Sequence, residues 1–119
     1  MGVYASSPDQ VILSLLWRTQ DVGKYGAHDL AEVIGEFQER TGIIIYGPVY
    51  DNENKKEKIY SDLCADLESL EDRQLINRND NCLSVTIIAA PVASALVLPS
   101  PFTELEHIVR EKIVQRKSK

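Results

Sequence analysis

Between Lys55 and Ile88 the apolar positions change period, and that change organises the chain. Ile59, Leu63, Leu67 and Leu70 fall at i, i+4, i+8 and i+11, the one-face spacing of a helix, with neither Gly nor Pro before Arg73. Period two then takes over. Leu75, Ile76 and Arg78 lead into a turn at Asn79-Asp80-Asn81, and Leu83, Val85 and Ile87 follow, separated by Ser84 and Thr86. Alternation bracketed by Asn and Asp predicts a hairpin. The pattern therefore predicts a helix over 54–72 that feeds directly into a hairpin over 75–88.

Two more helical patterns come first. Ser7-Pro8-Asp9-Gln10 reads as a helix start, with Ser at the N-cap, Pro at the first position and Gln three residues on closing a capping box. Val11, Ile12, Leu15, Leu16 and Thr19 line one face, and Gly23 and Gly26 mark the stop. From about His28 to Arg40, Leu30, Val33, Ile34 and Phe37 turn inward while Asp29, Glu32, Glu36 and Glu39 turn outward, and Gly42 terminates the run. Gly35 inside it suits close packing against a neighbour. Ile43-Ile44-Ile45-Tyr46 is β-prone and ends at Gly47-Pro48. The polar connector from Val49 to Glu53 makes this link longer than a minimal helix-turn-helix turn.

Beyond the hairpin, Ala89-Ala90-Pro91 breaks the strand, and the apolar run Val92 to Leu98 reads equally as a buried strand or a short helix. Pro99 and Pro101 punctuate, and Thr103 with Glu106 opens a last helix by capping-box logic. Leu105, Ile108, Val109 and Ile113 stripe one face of it. Such a helix either packs back on the body or pairs with a second copy. The expectation drawn is a homodimer through residues 103–116, because two-fold pairing sets two copies of the 54–72 helix at a fixed spacing. The expected organisation is one domain over 1–98 followed by a C-terminal helix with a basic tail over 99–119.

A chain of 119 residues with 44% hydrophobic and 26% charged positions fits one compact globular domain. The longest apolar run, Leu83 to Leu98, is short for a membrane span and holds Ser84, Thr86, Pro91 and Ser94, so no membrane partner is expected. No basic segment precedes an apolar core at the N-terminus, which predicts a cytoplasmic location with Cys64 and Cys82 as reduced thiols. Met1-Gly2-Val3-Tyr4-Ala5-Ser6 matches the myristoylation pattern, a weak signal without a second membrane anchor. Net charge is −5. Arg110, Lys112, Arg116, Lys117 and Lys119 against Glu111 give the last ten residues +4 and leave −9 on the rest.

Leu67-x-x-Leu70-Glu71-x-x-Gln74-Leu75-Ile76-x-Arg78 resembles the third helix and first wing strand of winged-helix proteins, in which the pattern L-x-x-L-E-x-x-G-L-I-x-R recurs. Gln74 stands where that pattern has Gly. The element order over residues 8–88 is similar to that of small prokaryotic repressors and, more distantly, of archaeal replication-initiator domains. The resemblance implies an α+β winged helix: a three-helix core, a small antiparallel β-hairpin wing and here a C-terminal amphipathic helix. It also implies double-stranded DNA as partner, although the superfamily includes members that bind only protein.

DNA reading needs an outward helix face and cations that meet phosphates. Asn54, Lys55, Lys56, Lys58 and Ser61 supply these on the first two turns of the predicted helix, and Arg78, Asn79 and Asn81 on the hairpin. Glu68, Glu71 and Asp72 repel phosphate further along. The bland alternative is a solvated helix face and an ordinary hairpin. The first functional expectation is a DNA-binding transcriptional regulator. Its rival is a protein-interaction or assembly module, favoured by the −9 body and the long connector.

Reaction chemistry is not visible. Phosphate-cradling Gly loops, a nucleophile elbow and zinc-ligand spacing are lacking, and His28, His107, Cys64 and Cys82 match no zinc pattern. Tyr46, Tyr50 and Tyr60 suit packing or an interface. The expectation is a non-enzyme with no cofactor and no metal.

Overall fold

The computed structural model describes residues 3–46, 55–79 and 82–117, with Lys55, Lys56 and residues 115–117 as helix backbone alone. The order is β1 (Val3–Tyr4), α1 (Pro8–Arg18), α2 (Ala27–Thr41), α3 (Lys55–Asp72), β2 (Ile76–Asn79), β3 (Cys82–Val85), α4 (Ala90–Ala95), β4 (Leu96–Val97) and α5 (Thr103–Lys117). Among the described residues this is an α+β arrangement of five helices and a small antiparallel two-stranded sheet, with a second two-stranded pair that is parallel.

Pro8 opens α1 with its fixed φ, behind an extended Ser7. The capping box closes one residue earlier than its sequence suggests. Gln10 Oε1 accepts from the Ser6 N–H at 2.8 Å, and the Ser7 hydroxyl turns to Asp9 instead. Val11 to Leu16 are all buried, six consecutive positions that cover every side of a helix. The cause is company on all sides: α3, α4, α5 and β3 all touch α1. Thr19 ends the helix by donating to the Leu15 carbonyl at 2.7 Å while its hydroxyl meets that of buried Tyr25.

The Gly26 N–H at the start of α2 donates to the Asp29 carboxylate at 3.1 Å, and Gly42 closes the helix in the left-handed region at φ +74°. Gly35 proves not to be demanded by a close approach, since a Cβ there would meet Ile59 Cδ1 at an ordinary 3.8 Å. The β-prone run Ile43–Tyr46 forms no strand. Gln38 Oε1 accepts from the Ile45 and Tyr46 N–H groups at 2.9 and 3.0 Å, so a side chain stands in for a partner strand.

α3 ends in a left-handed cap. The Gln74 N–H donates to Glu71 O and the Leu75 N–H to Leu70 O, both at 2.9 Å, with Gln74 itself at φ 62°. The missing glycine changes the strain and leaves the geometry intact. The hairpin pairs Ile76 with Val85, Asn77 with Ser84, Arg78 with Leu83 and Asn79 with Cys82. The Leu83 N–H also donates to Tyr25 O at 3.0 Å, which ties the hairpin to the link between α1 and α2. The strands stop at Val85, short of the expected Ile88. Thr86 turns the chain by donating from its N–H to Leu75 O and from its hydroxyl to Gln74 O.

The ambiguous run Val92–Leu98 takes both forms, helix to Ala95 and strand at Leu96–Val97. β4 pairs in parallel with β1, Val3 to Leu96 and Tyr4 to Val97, a contact the sequence pattern did not foretell.

The largest correction concerns α5. Leu105, Ile108 and Val109 are 0% exposed and Ile113 is 2% exposed within the single chain, packed against α2 and α1. The stripe expected to pair two copies is already covered, and it belongs to the same core cluster as the other helices. Of the two alternatives, packing back on the body or pairing with a second copy, the buried stripe over Leu105–Ile113 takes the first. Phe102 stacks on Phe37 at 5.6 Å where the chain enters α5, and ion pairs line its flanks. Arg18 meets Glu106, Arg40 meets Glu104 and Glu111, Arg110 meets Asp21, and Lys112 meets Glu36.

Candidate functional site

α3 buries Ile59, Leu63, Leu67 and Leu70 against α2 and α1, as their spacing demands, and turns its other side to water. Lys58 and Ser61 are exposed there, as expected of contact residues. Lys58 is engaged, however: its Nζ lies 3.2 Å from Asp62 Oδ1, one turn along. Arg78 projects from β2 and its guanidinium lies 3.7 Å from Glu71 Oε1. Asn79 is exposed at the end of β2. Lys55 and Lys56 lie on the first turn of α3, while Asn54 and Asn81 fall outside the described residues.

The structure thus brings Lys58 and Ser61 onto one surface and spends both described cations on carboxylates. Over its whole length α3 carries six carboxylates (Glu57, Asp62, Asp66, Glu68, Glu71 and Asp72) against Lys55, Lys56 and Lys58, and all three lysines stand in the first turn. Two of the carboxylates stand in the last turn, which holds no basic residue, at the end where the helix dipole is itself negative.

Two tyrosines fasten α3 to its neighbours. The Tyr46 hydroxyl donates to Asp66 Oδ2 at 2.8 Å, and burial together with that acceptor raises its pKa. Tyr60 stacks on His28 with ring centroids 4.2 Å apart and planes 8° from parallel. A hydrogen bond with Cys64 raises the Tyr60 pKa, and nearby Arg78 acts in the opposite sense. Cys64 and Cys82 are free, half-buried thiols. Among the described residues no three His, Cys, Asp or Glu side chains gather as they would around a metal ion. Nor is any described helix long and apolar enough to cross a membrane.

Sequence reasoning missed a second surface. Ile87 is 93% exposed, Ile88 72% and Val92 55%, together at the base of the hairpin and the first turn of α4. The alternation that placed Ile87 inside a strand ends at Val85. A signal was available: adjacent isoleucines cannot both face inward with period two. No family model matches the chain, and no curated protein or solved structure matches it either.

Proposed function

We propose that the chain is a winged-helix-like module that docks on protein. The order of three helices and a hairpin supports the winged-helix reading, as does the left-handed cap at the position where the pattern has Gly. One observation carries the choice of partner: the helix that would enter the groove carries six carboxylates against three lysines, all three in its first turn, and Lys58 among them is paired with Asp62. Affinity for DNA comes first from cations that displace phosphate counterions. An exposed ion pair contributes only about 0–1 kcal/mol, so Lys58 and Arg78 are individually easy to release. Releasing them leaves Asp62 and Glu71 facing the phosphates as well.

The second reading is a transcriptional regulator that contacts double-stranded DNA through residues 54–61 and 78–81. It is favoured by the N-terminal end of α3, where exposed Lys58 and Ser61 follow Lys55 and Lys56 at the positive end of the helix dipole. Fluorescence anisotropy with a mixed-sequence duplex at low salt separates the two. The docking reading expects no binding at roughly tens of micromolar protein, near the strong end of non-specific affinity. Tighter binding with a steep salt slope, lost in Lys58→Glu, overturns it.

A further inference from the structure

Two hydrogen bonds from Thr86 fold the end of α3 onto the exit of the hairpin, and a third turns the chain after it. The Thr86 N–H donates to Leu75 O at 3.1 Å, the Thr86 hydroxyl to Gln74 O at 2.8 Å, and the Ala89 N–H to the Thr86 hydroxyl at 3.1 Å. The backbone at Gln74 is thereby held against Thr86, the residue before Ile87.

This region is unusual in three respects. Ile87 and Ile88 stand almost wholly in water with Val92 beside them in the chain, and three such side chains within six residues are more than scattered surface hydrophobicity. Gln74 holds a left-handed conformation that glycine would adopt without penalty, and its side chain is exposed. Strain of this kind concentrates where a side chain is wanted for contact. Finally, the end of α3 that leads into Gln74 is negative. Glu68 and Asp72 are exposed, no basic residue stands in the last turn of α3, and the cations nearest in sequence are engaged: Arg73 with Asp9 at 2.8 Å and Arg78 with Glu71.

We infer that Gln74, Ile87, Ile88 and Val92, edged by Glu68 and Asp72, form a docking surface for a protein whose apolar helix face is rimmed by Lys or Arg. The inference rests on the protein-docking reading above. Charge selects the occupant. Phosphate, whether of nucleic acid or of an anionic bilayer, meets carboxylates here. A second copy apposed through the same face brings a second Glu68 and Asp72 to the contact and no basic residue from the last turn of α3 to meet them.

The test uses the full chain, isotopically labelled for amide NMR, and three probes: a designed amphipathic helix of Leu and Lys about 18 residues long, its Leu and Glu counterpart, and a mixed-sequence DNA duplex. The Leu and Lys helix is expected to shift amides over 72–76 and 86–92 saturably. The double change Ile87→Ser with Ile88→Ser should weaken it at least about tenfold, as loss of central apolar anchors does. Asp72→Asn should weaken it severalfold in a salt-dependent way. Both changes are at exposed positions, and far-UV circular dichroism confirms the fold.

The inference is overturned by no saturable shift up to about 1 mM peptide, by unchanged affinity in the double variant, or by equal binding of the Leu and Glu helix. A concentration-dependent dimer that the double variant abolishes also overturns it, by assigning the surface to a second copy. Saturable shifts on another face refute this surface and spare the docking reading. Duplex DNA that shifts the first turns of α3 refutes the docking reading itself.

Discussion

Replacing Gln74 with Gly removes the one positive-φ strain among the described non-glycine residues. At φ 62° the Cβ of an L-residue crowds the following carbonyl, a cost of roughly 1–2 kcal/mol. Against this, glycine gives the unfolded chain more freedom, an offset of roughly 0.4–1 kcal/mol. The Gln74 side chain is exposed, and Gln74 enters the cap through its backbone alone: its N–H donates to Glu71 O, and its carbonyl accepts from the Thr86 hydroxyl. Nothing else is lost. Gln74→Gly should therefore stabilise the fold by roughly 0.5–1 kcal/mol, a rise in Tm of about 2–5 °C for a chain of this size. Urea unfolding followed by circular dichroism should show a higher midpoint with an unchanged slope. Gln74→Ala keeps the Cβ and should gain nothing, and Gln74→Val, with its branched Cβ, should lose. A Gly variant no more stable than the parent, or an Ala variant equally stabilised, refutes the strain argument.

Gly35→Ala should stabilise α2 by roughly 0.5–1 kcal/mol in the same unfolding assay, because the new Cβ meets Ile59 Cδ1 at an ordinary 3.8 Å and helix propensity improves. A chain ending at Ser100 should fail to fold rather than become a monomer. Each fully buried side chain of the α5 stripe contributes roughly 1.5–3 kcal/mol, and four together rival the whole stability of a domain; dispersed amide NMR signals from that chain would contradict this. Burial pushes the Tyr25 phenol up to about 12 from its ordinary 10.0, with the Thr19 hydrogen bond opposing. Its neutral form is the folded one, so stability is intact below pH 10 and is lost as pH rises through about 12, which a phenolate absorbance titration alongside circular dichroism reads directly. The Ser7 hydroxyl and then Arg73 hold the Asp9 carboxyl below its usual 3.8. Asp9→Asn should be less stable than the parent at neutral pH, and the gap should close as pH falls below 3.8.

What the sequence disclosed follows from where the determining interactions lie. The three helices and the hairpin were legible because each carries its own period: Leu63, Leu67 and Leu70 stripe α3 whatever covers them, and Ser84 and Thr86 alternate with apolar residues whatever the turn. The stripe on α5 was equally legible, but a stripe states only that something covers it. What covers it is complementary detail on other elements: Phe37 receiving Phe102, and Glu36 and Arg40 placed to meet Lys112, Glu104 and Glu111. β1 and β4 are two residues each, too short to carry a period, and their pairing is long-range. At the candidate site, residue types were readable and their engagement was only half so. Lys58 and Asp62 stand at i and i+4, a pair visible in the sequence, whereas Arg78 reaches Glu71 only because the left-handed turn at Gln74 folds β2 back toward α3.

The attachment of α5 offers a last test, because its charges are arranged unequally. Arg40 stands at the centre of three carboxylates, 2.6 Å from Glu36, 3.4 Å from Glu104 and 3.1 Å from Glu111. Replacing Glu104 or Glu111 with Gln removes one of three acceptors and leaves the guanidinium well paired, so either change alone should be nearly silent. Arg40→Ala removes the centre. Glu36, Glu104 and Glu111 then face one another across α2 and α5, relieved only by Lys112 at 3.4 Å from Glu36. The loss should exceed the sum of the two Gln changes, since repulsion appears that neither of them creates. Salt acts on this repulsion in one direction. Screening weakens that repulsion, so the deficit of Arg40→Ala should shrink as ionic strength rises from about 0.1 M to 1 M and the Debye length falls from about 10 to 3 Å. The parent, whose α5 is held chiefly by Leu105, Ile108, Val109 and Ile113, should change far less. An Arg40→Ala deficit that is no larger than that of Glu111→Gln, or that grows with salt, would show that these pairs do not act as a cluster.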